Sequence, residues 1–454
     1  MFRFRQKNII ILCCFLLPIL FLFSCAPGVR YYPQVNAYIL NQDYDSAYRL
    51  VTKNKNAFKK RDILLYYLDK GIIAHFASRF EESNRNFSMA ESIMDRLYTK
   101  SISRETSSFI INDNTIPYGG EDFEKVLINL FMSINYVELG RLDDALVEAR
   151  KVDNKLNVLN SRYEDDKKNV YREDPFVRFL MGVIYEDSGE INDAFISYRM
   201  ADTIYRTDYL PNYGISSPRF LLEKLICSAK ALGFDEELNE TVKEYPAATL
   251  VNRACKKDMA ETYFVHYNGL GPEKIERFFL IPMPDGYIAK IAYPAFQKKR
   301  YRIVNGQISL KNLKTGRIYT STTVLMEDIA SIAVLNLKNR ISRVIAKATA
   351  RATIKYMAAR KAKKLAKKEN KELLALFVQV FAQVAVWVTE KADLRQWRLL
   401  PAEIRVGRNT VPAGRYRGEI RFIDAGGTII SSRHIPDFIV KKGEKKFFTF
   451  RTIE

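Results

Sequence analysis

Residues Pro175–Arg206 read PFVRFLMGVIYEDSGEINDAFISYRMADTIYR, and their spacing predicts two helices joined by a tight turn. Met181, Gly182 and Tyr185 recur at helical spacing, Gly189 marks the turn, and Ile191, Ala194, Tyr198 and Ala201 resume the helical period. Small residues at Gly182, Ala194 and Ala201 let two antiparallel helices approach closely, and large residues fill the remaining gaps. One such hairpin cannot bury its own apolar face, so others must stack on it.

Related stretches lie on both sides. Asn41–Val51 resembles a second helix of such a pair. Leu64–Met94 carries Gly71, Ala74, Phe80, Phe87 and Ala90 in register, with Ser78 and Ser83 at two small positions. Val126–Leu156 carries Tyr136, Gly140, Leu142, Ala145, Ala149 and Val152, and Phe220–Tyr245 reads as a degenerate cap with Ala229 and Gly233. The order of small and large residues is the tetratricopeptide (TPR) pattern. The small residue after each turn recurs at Ala47, Ser83, Ala145 and Ala194, leaving gaps of 36, 62 and 49 residues, against about 34 in a strict repeat. The extra length falls in the polar stretches Tyr98–Phe123 and Asn154–Asp174. Insertions of this kind often line the binding face of a solenoid. A groove for a protein or peptide partner is therefore expected, with Tyr118, Glu121, Asp122, Tyr136, Glu148 and Arg150 as candidate contacts. The plainer reading of Glu121, Asp122 and Glu124 is charge placed at a helix N-terminus, where the dipole favours it.

The N-terminus carries an address. Arg3, Arg5 and Lys7 precede the apolar run Ile9–Phe23, and Leu22-Phe23-Ser24-Cys25 follows. This is a secretory signal ending in what resembles a bacterial lipoprotein box, which implies cleavage before Cys25 and acylation (palmitate-type chains) of that cysteine. The run is short of the roughly 20 residues of a membrane span. Ala26 in place of Asp after the cysteine resembles an outer-membrane sorting signal, so the expected location is the outer membrane facing the periplasm. Residues 1–24 form the signal, 25–34 a lipidated tether, and their processing lowers the net charge from +20 to +17. Cys227 and Cys255 remain. They are read as two buried thiols, with a disulfide as the alternative in an oxidising compartment.

Two further runs stand out: Ile116-Pro117-Tyr118-Gly119-Gly120-Glu121-Asp122-Phe123-Glu124, leading into Asn135-Tyr136 and Glu148-Ala149-Arg150, and Ala392-Asp393-Leu394-Arg395-Gln396-Trp397-Arg398-Leu399-Leu400-Pro401. With the lipobox they resemble an uncharacterised family of bacterial TPR-containing lipoproteins. The resemblance covers most of the mature chain. It implies a fold and an address and no established activity.

Beyond Phe264 the texture becomes β. Phe278–Ile281, Tyr287–Ala292, Tyr301–Val304 and Arg317–Val324 read as strands, with a hairpin turn expected at Asn305-Gly306. Ile404–Arg408, Tyr416–Phe422, Thr428–Ser432, Phe438–Val440 and Phe447–Phe450 form a second set, with a turn at Asp424–Gly427. The two sets are expected to pair, with Trp397 and Pro401 at the junction. Between them Glu327–Glu369 is helical and strongly basic, with Arg340, Arg343, Lys347, Arg351 and Lys355 on one stripe. Lys338–Glu372 holds thirteen Lys/Arg against two Glu, and the apolar run Leu373–Val388 follows. The stripe is a candidate contact for anionic lipid, and the apolar run is either core or lipid-facing. The expected class is thus α+β and multidomain. A TPR-like α-solenoid over 35–262 precedes a small antiparallel, sandwich-like β domain over 263–454, which carries a basic/apolar helical hairpin inserted at 327–391.

Catalytic chemistry is not visible. No GxSxG, HExxH or Cys–His pairing occurs, three scattered histidines offer no metal site, and Gly269, Gly271 and Lys274 lack the strand and GKS/T ending of a phosphate loop. No cofactor, metal, nucleic acid or small-molecule substrate is expected. The leading expectation is a lipid-anchored, non-enzymatic scaffold for an envelope protein or peptide. A membrane-active protein working through the basic hairpin is the second reading, and a peptidoglycan-associated module the third.

Overall fold

The computed structural model describes residues 31–102, 113–161, 170–245, 255, 258–368 and 390–454. Cys25, the signal and Leu373–Val388 lie outside them. Helices α1 (Tyr32–Leu40), α2 (Tyr44–Lys53), α3 (Ile63–Phe76), α4 (Phe80–Ile102), α5 (Asp122–Glu138), α6 (Leu142–Asn160), α7 (Pro175–Asp187) and α8 (Ile191–Ile204) pack as successive antiparallel hairpins, followed by α9 (Arg219–Leu232) and α10 (Asp235–Glu244). The stretches expected as polar insertions are partly helix, because α4 and α6 run on to Ile102 and Asn160.

Two of the hairpins close by matching one small residue to one large. A Cβ on Gly71 would overlap the Phe87 ring, and one on Gly182 would overlap the Tyr198 ring. In the middle hairpin both corresponding positions are small, Ser133 and Ala149. Hydroxyls also close the pairs. Ser83 Oγ donates to the Gly71 carbonyl at 2.8 Å, and Ser133 Oγ donates to the Ala145 carbonyl at 2.9 Å.

Strands β1 (Met259–Asn268), β2 (Glu273–Pro282), β3 (Ile288–Gln297), β4 (Ile303–Asn312), β5 (Ile318–Thr322) and β6 (Val324–Glu327) precede the 40-residue helix α11 (Ile329–Lys368). Then come β7 (Glu403–Pro412), β8 (Gly414–Asp424), β9 (Ile429–Val440) and β10 (Lys445–Thr452). One sheet has the order β10-β1-β7-β6, with β1 and β10 parallel. A second has β5-β4-β8-β9, and β2-β3 stands as a separate hairpin. The two four-stranded sheets enclose Ala260, Phe264, Ile308, Leu310, Tyr416, Ile420 and Phe422. On the opposite face of β1, Tyr263, Val265 and Tyr267 enter the core of the helical array. The molecule is layered as helices, sheet, sheet.

Four expectations are corrected. Asn305-Gly306 does not turn. β4 continues through it, with a shift in register against β8 between Ile303 and Asn305; Gly306 lies opposite Phe422 of β8 and exchanges two 2.8 Å hydrogen bonds with Thr323. Glycine serves close approach there, since a Cβ would lie 3.0 Å from Ile420 Cδ1. The boundary at 262/263 is crossed by β1, and one contiguous core runs from α1 to β7. Thr428–Ser432 and Phe438–Val440 belong to a single strand, β9. Cys227 and Cys255 are a disulfide rather than free thiols. The fold brings their Cα atoms to 5.2 Å, within the range a disulfide needs.

Replacing Gly182 by Ala tests the hairpin closure. Helix propensity favours Ala by about 1 kcal/mol, but overpacking against Tyr198 costs about 1–3 kcal/mol. Urea unfolding is expected to show a net loss, with Gly182→Ala/Tyr198→Leu less destabilised than the sum of the single variants.

Candidate functional site

The helices of a TPR-like array that carry the groove are here covered. In α5 every residue from Asp122 to Asn135 except the half-buried Lys125 is buried, as are ten of the thirteen in α7. A helix buried around its whole circumference has neighbours on all sides. The cover is the chain's own second half. Trp397 packs edge-on against Phe87 and Phe131, with centroids at 5.6 and 5.9 Å. Tyr267 sits against His75 and Phe131, and Tyr263 against Phe179. Tyr205 and Tyr209, on a five-residue π turn after α8, reach β6. There Tyr205 Oη donates to the Met326 carbonyl and Tyr209 Oη donates to Glu327 Oε1.

The two distinctive runs of the sequence meet at one buried carboxylate. Glu124 accepts from Tyr118 Oη at 2.6 Å, the Glu121 N–H at 3.0 Å and the Trp397 N–H at 2.7 Å. Burial raises its pKa, opposed by the Lys274 ammonium, the Trp397 N–H and the Tyr118 hydroxyl. Beside it, Glu121 pairs with Lys274 and Arg340, and Asp122 lies 3.8 Å from Arg340. Arg395 binds Asp62, Asp393 and the Ile116 carbonyl, and Lys274 Nζ donates to the Arg395 carbonyl.

This places each candidate. Tyr118, Glu121 and Asp122 are buried at the seam between helices and strands. Glu148 is buried elsewhere, accepting from Asn129 and paired with Lys151. Tyr136 is half-buried under Arg141, and Arg150 is exposed with Nη2 2.6 Å from Tyr185 Oη. The six do not converge on one open groove. Glu121 seeks a cation because burial of an unpaired charge is costly, and the cation comes from β2 and α11. The expected lipid stripe is corrected on the same ground. Arg340 is engaged by Glu121, Arg351 is only 6% exposed, Lys355 pairs with Glu390, Lys347 is half-buried, and Arg343 alone of the five is exposed. The middle of α11 instead packs Ala348, Ala352, Tyr356 and Ala359 on Ile291, Tyr287 and Ala289 of the β2-β3 hairpin and the turn before β3.

Sequence reasoning missed Asp69, Lys224, Glu261 and Arg408. Lys224 bridges Glu186 and Glu261, and Arg408 reaches Glu261 and Glu223. Burial pushes the Glu261 pKa up, but Lys224, Arg408 and Lys445 outweigh it and hold the carboxyl below its usual range. His75, buried, is pushed down to about 4 by burial, against the pull of Asn135. Among the described residues no group of His, Cys, Asp and Glu could hold a metal ion, and no helix is long and apolar enough to cross a membrane.

No family model and no curated protein matches the chain. Solved structures do, distantly. BtubC from P. vanneervenii is 14% identical over 47% of this chain and 78% of its own, with a TM-score of 0.32. YrrB, a TPR protein with an unusual peptide-binding site, is 11% identical over 49% and 89%, at 0.28. The Rap conjugation gene regulator of plasmid pLS20, in complex with the Phr* peptide, is 15% identical over 47% and 52%, at 0.28. This chain is thus similar over about half its length to repeat proteins of the TPR type. The repeat itself is defined by the helix pairing described above.

Glu124→Ala leaves three buried donors without an acceptor, at about 1–3 kcal/mol each. Its urea midpoint is expected to fall by the equivalent of about 3–5 kcal/mol, with proteolysis opening near Trp397. Asp69 supplies a pH test. Tyr32 Oη donates to its Oδ2 at 2.7 Å and Tyr31 Oη at 3.3 Å, and burial pushes its pKa up to about 7 against those bonds. The folded state therefore keeps a proton that the unfolded chain has released between pH ~4 and ~7. Stability falls as pH rises through that window, by up to about 1.4 kcal/mol per unit. Asp69→Asn retains an oxygen acceptor and lacks the titration. The drop in Tm between pH 5 and pH 8 is expected to be smaller in the variant than in the wild type.

Proposed function

We propose that the protein is a lipid-anchored, non-enzymatic scaffold of the bacterial cell envelope that holds a protein partner on an arm built from α11 and the β2-β3 hairpin. The observation that carries this is a run of exposed apolar side chains on that arm. Phe279 and Leu280 are adjacent on β2 and 38% and 42% exposed, and Met357 and Leu365 on α11 are about 60% exposed. Neighbouring strand residues point to opposite faces, so both faces of the hairpin carry apolar surface. Large apolar side chains left exposed on one element are a mark of interaction sites. The groove that a TPR-like array would otherwise offer is covered by the chain's own strands, which moves the partner contact to the arm.

The lipobox at Cys25 supports the anchor, and the Cys227–Cys255 disulfide suits an oxidising compartment. An outer-membrane position facing the periplasm follows from Ala26 by resemblance. A second reading is favoured by the charge of the arm. Arg360, Lys361 and Lys364 on α11 are exposed between Met357 and Leu365, a combination that also suits an anionic lipid surface.

Met357→Asp and Leu365→Asp, in the lipidated chain with circular dichroism unchanged, are expected to remove the partner recovered by in-cell cross-linking. Undiminished recovery would place the contact elsewhere on the array. Flotation of Cys25→Ala protein with phosphatidylglycerol vesicles, lost in the same variants, would favour lipid as what the arm contacts.

A further inference from the structure

A cavity of about 180 Å³ lies where the α1–α2 turn and the end of α3 meet β1, β9 and β10. Tyr44, Phe76, Tyr267, Arg433, His434 and Arg451 are among its walls. Arg451 is the unusual member. It is 5% exposed, and its Nη1 donates to the carbonyls of Tyr267 and Thr452, but its Nε and Nη2 have no hydrogen-bond partner. Its guanidinium lies 5.2 Å from the centroid of the Phe76 ring. The Tyr267 hydroxyl is likewise buried without a partner. Burial pushes the Arg451 guanidinium down to about 9, opposed by Tyr44 and Glu454.

A guanidinium held out of water with two of its nitrogens, and so three N–H groups, unsatisfied costs several kcal/mol unless an anion completes it. The cavity walls contain two arginines and no carboxylate. Glu454, the acidic group acting on Arg451 and Tyr44, has its oxygens turned to the Ile453 N–H and the Ser431 hydroxyl. The volume equals on the order of six waters, and aromatic rings supply an apolar wall. We propose that this cavity binds a small oxyanion, a carboxylate or phosphate monoester carrying an aromatic or short apolar group, with Arg451 and Arg433 as its cationic partners. Because the walls come from both the first helical hairpin and the sheet, the ligand would clamp the N-terminal end of the array to β10, stabilising the folded chain increasingly with the logarithm of its concentration once that exceeds Kd.

The test is calorimetric titration of the full chain with benzoate, with phenyl phosphate, and with benzyl alcohol as the uncharged control. Saturable binding at one site by at least one anion is expected, at least tenfold weaker in Arg433→Gln, with no binding of the alcohol. Benzoate alone would assign a carboxylate, and phenyl phosphate alone a phosphate ester. Arg451→Gln is expected to abolish binding. It also removes two main-chain hydrogen bonds, so if it melts early Arg433→Gln decides. No saturable binding of either anion, equal affinity in Arg433→Gln, or equally tight binding of benzyl alcohol would each overturn the proposal.

Discussion

Everything in this molecule hangs on β1 being buried on both faces. Tyr263, Val265 and Tyr267 fill the space against α3, α5 and α7, while Ala260 and Phe264 form the floor of the sandwich with the second sheet. A strand so placed is covalently part of two cores. Neither half can be loosened without exposing large aromatic rings, each worth a few kcal/mol when buried. The parallel pairing of β1 with β10, the last strand, brings the C-terminal end of the chain into the same seam.

The seam is also where the charge is placed. Glu124, Glu121 and Asp69 are buried carboxylates and Glu261 is a nearly buried one, and their partners include Trp397, Lys274 and Arg408 from segments more than a hundred residues away, Lys224 from α9, and the tyrosines Tyr31, Tyr32 and Tyr118. Buried ion pairs add little net stability over apolar packing, but removing one partner is costly. They therefore specify which surface docks on which. In this chain they select the register between a generic helical array and its strands, using Lys274, Arg340, Trp397 and Arg408 as the matching groups.

Covering the array changes what the remaining surface can do. The inner helices of the array are sealed by the chain itself, and the exposed apolar surface is shifted to the arm, whose helix α11 is inserted between β6 and β7, two strands that are hydrogen-bonded neighbours. An insertion of that length between adjacent strands adds nothing to the sheet. Its helix α11 is anchored at one end by Ile329, Ile332, Ala333 and Leu337, and none of the residues from Thr353 to Leu365 is buried.

The sequence by itself determined the helical hairpins, the strands after Asp393 and the turn at Asp424–Gly427. Each is written in a local period or a local turn residue: Gly182 with Tyr198, the alternation of β8, Asp424 Oδ1 accepting from the N–H groups of Gly426 and Thr428. Of the candidate site, the Tyr118–Glu124 and Ala392–Pro401 runs were visible as unusual, but not that they bind each other. Only the tertiary structure decided that, along with β1, the continuation of β4 through Asn305-Gly306, the pairing of Cys227 with Cys255, and the inward turn of Arg340 and Arg351. The physical reason is common to all of these. A period reports burial of one face, so a strand covered on both sides carries none. Charge and thiol pairing, in turn, depend on distances that folding sets between residues far apart in the chain.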